Sequence, residues 1–132
     1  KYTGKVQYPG ISANPQDLWS QLDSTNITIK AEINGANKVY NREYFDSLFF
    51  IAVKRSIELN VSVYCGEFGC LNTIDKDTRS TYYKDFVETL KKYNIGFAVW
   101  DYKGSFQIVG YDTEKMVNTN VIDTTVVRIL TM

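Results

Sequence analysis

Two short, almost continuously apolar runs, Val61 to Gly66 and Ile95 to Trp100, constrain this chain most, because each follows a stretch of helical periodicity. In the first helical stretch, residues 42–60, Phe45, Leu48, Phe49, Ala52 and Val53 recur at helical spacing. Asn41 stands where a cap belongs, Glu43 lies in the first turn, and Asn60 ends the helix. The second spans residues 78–93, capped by Asp75 or Asp77. Tyr83, Phe86, Val87, Leu90 and Tyr93 lie on one face, with Lys84, Asp85, Glu88, Lys91 and Lys92 left in water. Apolar runs without polar alternation belong to strands covered on both faces. The order helix, strand, helix, strand is that of βα units, so the chain is predicted to be an α/β protein with parallel strands.

The ends of the chain are less regular. Residues 1–42 read as a loop- and hairpin-rich insertion, punctuated by Pro9-Gly10 and Asn14-Pro15, with one helical turn over Gln16 to Trp19. Ile27, Ile29, Ala31 and Ile33 alternate with polar residues and predict a strand. It turns at Asn34-Gly35 and returns through Lys38-Val39-Tyr40. After a loop through Gly104 and Gly110, residues 121–131 read as a last helix with Val126, Val127, Ile129 and Leu130 inward, although their β-branched content also suits a strand. With 132 residues there is material for one core, so a single domain over 1–132 is expected.

Composition removes whole classes of chemistry. Histidine is absent, which eliminates Ser-His-Asp and Cys-His catalysis and histidine-rich metal sites. Two cysteines, Cys65 and Cys70, are too few for a disulfide framework, and Cys65 inside an apolar strand reads as a buried free thiol. Fifteen basic residues balance fifteen acidic ones, so no net field attracts nucleic acid or an anionic membrane. No apolar run reaches the length of a membrane span. Acid–base work therefore falls to carboxylates, tyrosine or lysine.

Among the carboxylates, Glu67 stands out at the carboxyl end of the first apolar run. Strict alternation puts Val61, Val63 and Cys65 on its side, facing an interior. On the second run Gly96, Ala98 and Trp100 share that interior side, with Phe97 and Val99 turned to the helices. Glu67 and Trp100 are thus expected side by side at the carboxyl ends of neighbouring strands. The bland readings are a hydrogen-bonded structural carboxylate for Glu67 and plain core for Trp100. Tyr8 and Tyr40 either line a cleft or cover core. Glu32, Glu43, Glu58, Glu88 and Glu114 read as solvated or capping charges.

The segment Tyr64-Cys65-Gly66-Glu67-Phe68-Gly69, followed by Phe97-Ala98-Val99-Trp100-Asp101-Tyr102-Lys103-Gly104-Ser105-Phe106, resembles the carboxyl-terminal part of glycoside hydrolase family 5. This is a cellulase-like family of eight-stranded (β/α)8 TIM barrels. The resemblance covers about residues 43–131. It implies a partial barrel in which Glu67 is the nucleophile of a retaining β-glycosidase, Trp100 stacks under a sugar and Lys103 reaches a sugar hydroxyl. Asp101 and Tyr102 would shape the rim. It implies a β-glucan or related polysaccharide as substrate, no metal or other cofactor, and a secreted protein.

The resemblance is also incomplete. The family's acid/base glutamate lies in an Asn-Glu dipeptide after the fourth strand, and no Asn-Glu occurs in this sequence. Tyr2-Thr3-Gly4-Lys5 looks like the loop after the sixth strand, so the first five strands have no counterpart. The expected partner is accordingly the missing amino-terminal part of the barrel, or a second copy of the chain pairing its open strands in a homo-oligomer. A carbohydrate-binding remnant is a further reading. The isolated chain is expected to have negligible activity.

Overall fold

The computed structural model describes residues 6–11, 14–16, 19, 31, 33, 37–112, 114–115 and 117–132. Among the fully described stretches, three helices carry the fold: α1 (Arg42–Leu59), α2 (Lys76–Lys92) and α3 (Thr124–Thr131). Each starts on a side-chain cap. Asn41 accepts from the Tyr44 N–H at 2.9 Å, Asp75 from Thr78 at 2.9 Å and Asp123 from Val126 at 3.1 Å. Asn60 ends α1 in the left-handed region, at φ 52°.

The strands, all short, form three two-stranded sheets: β1 (Gly10–Ile11) with β2 (Val39–Tyr40), β3 (Tyr64–Cys65) with β4 (Gly96–Phe97), and β5 (Val109–Asp112) with β6 (Val117–Ile122). Among the described residues only β3 and β4 are parallel, with Tyr64 opposite Gly96 and Cys65 opposite Phe97. The helix α2 between them makes the crossover that parallel strands require.

The core lies between α2 and what surrounds it. Tyr83, Val87 and Leu90 on α2 are fully buried, joined by Phe68, Ile95, Val126 and Ile129. Burying such side chains is worth roughly 1.5–3 kcal/mol each. A ring cluster extends this core to α1, where Phe86 meets Phe45 at 4.9 Å and Phe49 at 5.1 Å between centroids. The inward face predicted for α2 is the observed one. Its predicted wet residue Asp85 is instead half-buried and accepts a hydrogen bond from the Tyr8 hydroxyl at 2.8 Å.

Three expectations are corrected. Ala31 and Ile33 are helical, not extended; Val39–Tyr40 is a strand but pairs with Gly10–Ile11. The remainder of that predicted hairpin, Ile27, Ile29 and Asn34-Gly35, lies outside the described residues. Val121 and Ile122 belong to strand β6 rather than to the last helix, which starts only after the Asp123 cap. The stretch read as a plain loop contains the β5–β6 hairpin, whose β-branched Val117, Thr119, Val121 and Ile122 suit a strand.

The third correction concerns β3. Val63 and Cys65 pack against the helical core, while Tyr64 lies on the other face, over Gly96. The alternation that was to put Val63 and Cys65 beside Glu67 fails for a reason visible in the hydrogen bonds. The Cys65 carbonyl accepts from Ala98 N–H at 2.9 Å, and the Phe68 carbonyl from Trp100 N–H at 2.7 Å. Between these bonds the first strand advances from 65 to 68 and the second only from 98 to 100. The extra residue is a bulge at Gly66-Glu67. It returns Phe68 to the buried side and leaves both Gly66 and Glu67 exposed. On β4 the expected alternation holds, with Phe97 and Val99 against the core.

Candidate active site

Glu67 and Trp100 follow the carboxyl ends of β3 and β4, two and three residues past them, and the Trp100 N–H donates to the carbonyl of Phe68, the neighbour of Glu67. The bulge frees the Glu67 carboxylate from the packed face, and the Cys65 thiol donates to the Glu67 carbonyl at 3.7 Å. Partial burial pushes that thiol above its usual range, so it stays protonated and donates at neutral pH. Cys65 and Cys70 are both free. Trp100 is 49% exposed.

Gly69 explains how closely the two loops approach. A Cβ placed on it would lie 1.9 Å from the Trp100 carbonyl oxygen, so only glycine lets the chain after Glu67 pass under Trp100. The loop after β4 then turns at Gly104, at φ 121°, against the Asp101 carboxylate. Lys103 is exposed on this loop. A backbone bond from Asn72 N–H to the Ser105 carbonyl, 2.8 Å, ties the two loops a second time.

The three residues predicted for the site therefore lie on two adjoining loops, tied where the Trp100 N–H donates to the carbonyl of Phe68, the residue after Glu67. Tyr8 and Tyr40 line a cavity of about 330 Å³ together with Phe45, Gly69, Cys70 and Tyr82. It adjoins the loop after Glu67 but includes neither Glu67 nor Trp100.

Sequence reasoning passed over Arg79. It is 5% exposed, completes the first turn of α2, and touches both site loops. The available signal was an arginine one helical turn before the inward Tyr83, on the side of α2 away from the exposed Lys84, Lys91 and Lys92.

No family model matches the chain. It is 29% identical over 112 residues to Endoglucanase C of Acetivibrio thermocellus, and equally to Endoglucanase C307 of Clostridium sp. strain F1. Those alignments cover 84% of this chain and 32% of each relative, so the chain spans about a third of the length of the relatives it matches. Among solved structures it is similar to the endoglucanase Cel5A of Thermotoga maritima, with TM-score 0.56 and 20% identity over 67% of this chain and 27% of that one. It is also similar to the cellulose synthase subunit Z of Clostridioides difficile, with TM-score 0.58 and 22% identity over 69% and 28%. At such identities the structural likeness concerns the fold. The chain is therefore similar in sequence to endoglucanases over most of its length, and it shares the fold of a segment of solved glycoside hydrolases.

Proposed function

We propose that this chain is the carboxyl-terminal part of a (β/α)8 barrel of the family 5 type, from a retaining enzyme that cleaves β-1,4-linked glucan. The observation that carries this reading is the parallel pair β3–β4 with Glu67 and Trp100 at adjoining carboxyl ends. That is the end of barrel strands where active sites form. The sequence similarity to endoglucanases supports the substrate class.

In this reading Glu67 attacks the anomeric carbon. The bond to the leaving oxygen breaks while a second carboxylic acid protonates that oxygen, giving a glycosyl-enzyme on Glu67. Water, deprotonated by the same second group, then displaces Glu67 with net retention. Trp100 offers its exposed ring to the sugar at the cleavage point, and Lys103 donates to a hydroxyl. The second carboxyl must stand ~5–5.5 Å from Glu67 for retention, and it comes from outside this chain. By the same resemblance the parent enzyme is secreted. No helix among the described residues is long and apolar enough to cross a membrane.

A second observation concerns what completes the site. Phe50, Ile51, Ile57, Leu59, Val61 and Tyr64, along α1 and into β3, are each more than half exposed. Among the described residues β3 pairs only with β4, so its other edge is open beside this apolar surface. The amino-terminal part of the barrel covers both, adding a parallel strand to β3 and a helix against α1. Self-association of two copies on the same surface is the competing reading, and a sugar-binding remnant that acts through Trp100 alone is a third.

The test adds the amino-terminal part of Endoglucanase C, up to the start of the aligned region, to the purified chain. Complex size and release of reducing sugar from β-glucan are measured together. The chain alone releases none that depends on Glu67, since losing acid–base assistance alone costs about 10²–10⁴-fold. A one-to-one complex hydrolyses the glucan and loses at least about 10³-fold with Glu67→Gln. Glu67-dependent hydrolysis by the chain alone would contradict the reading. A homodimer that ignores the added segment would favour self-association.

A further inference from the structure

Arg79 is a buried cation whose donors are spent on four separate partners. Its Nε donates to the Cys70 carbonyl at 3.3 Å and one terminal nitrogen to the Asp123 carboxylate at 2.6 Å. The other terminal nitrogen donates to the Phe106 and Gln107 carbonyls at 3.1 and 2.9 Å. Its guanidinium carbon also lies 5.3 Å from the centroid of the Tyr83 ring, and the Tyr83 hydroxyl accepts from the Cys70 N–H at 3.3 Å.

These partners belong to three different segments. Cys70 closes the loop that begins at Glu67. Phe106 and Gln107 end the loop that carries Trp100 and Lys103. Asp123 caps α3 and bonds through its own N–H to the Ile108 carbonyl at 2.9 Å. One rigid, planar fork thus measures the distance from the first site loop to the second. Burying a guanidinium is costly unless it is paired, and here a carboxylate and three carbonyls satisfy it. A mere core filler would be apolar, and a surface ion pair would not be buried. Lysine, a point charge on a flexible stem, cannot span the same set.

We propose that Arg79 is a positioning residue that fixes the spacing between the Glu67 loop and the Trp100–Lys103 loop. The assignment of a reaction to these loops rests on the proposed function; the clamp itself rests on the contacts alone. Glu67 and Trp100 share one sugar only if their loops keep one separation, and a displacement of about 1 Å can cost 10²-fold in rate.

The experiment measures amide hydrogen exchange in the full chain for Arg79→Lys and Arg79→Gln. The Asn72 amide, bonded across the loops to Ser105, reports the clamp. The Ala98 amide, bonded to Cys65 within the β3–β4 ladder, reports the strands beneath it. Exchange at Asn72 is expected to accelerate about tenfold or more while Ala98 changes less than about twofold. The same variants in the completed barrel are expected to lose about 10² in kcat at an unchanged pH profile, since Arg79 touches no substrate. Unchanged exchange at Asn72 overturns the proposal. So does equal acceleration at both amides, or failure of both variants to fold, because either makes Arg79 a general stabiliser. If the unsubstituted completed barrel hydrolyses nothing, the proposed function fails while the exchange result still judges the clamp. If it hydrolyses glucan and the variants match it, the positioning role fails.

Discussion

Gly66 and Gly69 bracket Glu67 and Phe68 in one tetrapeptide, yet a methyl group added at each meets opposite conditions. At Gly66 the nearest atom to the new Cβ is a Tyr64 ring carbon at 3.8 Å, an ordinary contact; at Gly69 it is the Trp100 carbonyl oxygen at 1.9 Å. Gly69→Ala is therefore expected to destabilise the chain by roughly 1–3 kcal/mol or more, and Gly66→Ala by no more than about 0.5 kcal/mol. Urea unfolding of the two variants checks this, and equal losses would contradict the packing of Gly69 under Trp100. The sequence singles out the tetrapeptide only through the family resemblance that joins it to Trp100 at the end of the next apolar run, since Gly-Glu-Phe-Gly alone is a weak signal. Arg79 was not legible there, because three of its four partners are backbone carbonyls, and a carbonyl leaves no mark in a sequence.

Among the elements, the helices were read most fully. Phe45, Tyr83, Val87 and Leu90 recur at a spacing that only a helix turns to one side, and Asn41 and Asp75 cap where their side chains reach the first-turn amides. The strands were read less well. The sheet carries two bonded residues per strand, so the bulge at Gly66-Glu67, set by tertiary pairing, reversed a face that strict alternation had assigned. The partner of Val39–Tyr40 was misassigned because alternation specifies a strand's faces and not the strand it pairs with.

The caps also make a pH prediction. The Thr78 N–H bonded to Asp75 holds its carboxyl below the ordinary range, and so does Lys92, bonded at 2.5 Å, for Asp46. A carboxyl depressed in the folded state adds stability that is complete above its ordinary value of 3.8 and is lost as pH falls through and below it. The thermal midpoint is thus expected to fall as pH drops from about 5 toward 2. Asp75→Asn, which keeps a capping oxygen without the titration, should flatten part of that fall. An identical pH dependence in that variant would contradict the role of the Asp75 charge.

At the scale of the whole molecule, the described residues form a packed helical layer against the short parallel pair β3–β4. Among the described residues, the core gathers around α2, whereas α1 and the far face of β3 present exposed apolar side chains and β3 pairs on one edge with β4. On the family resemblance the sequence lacks the Asn-Glu dipeptide and the first five strands, and the proposed function takes the barrel to be completed from outside this chain. The lengths of its relatives agree, since the matched region is 32% of each. Under the proposed function, completion by an amino-terminal barrel segment would account for both the exposed surface and the absent Asn-Glu dipeptide, and self-association only for the first.

The central claim is that Glu67 forms the covalent bond to sugar. It is tested most directly with an activated 2-deoxy-2-fluoro-β-cellobioside bearing a dinitrophenolate leaving group. The fluorine slows both displacements, and the good leaving group restores the first without needing an acid, so the glycosyl-enzyme accumulates. The chain completed by the Endoglucanase C segment is treated, digested and analysed by mass spectrometry. The account predicts one fluoroglycosyl adduct, on the peptide that contains Glu67, and its disappearance in Glu67→Gln. An adduct on any other carboxylate, or its persistence in Glu67→Gln, would contradict it.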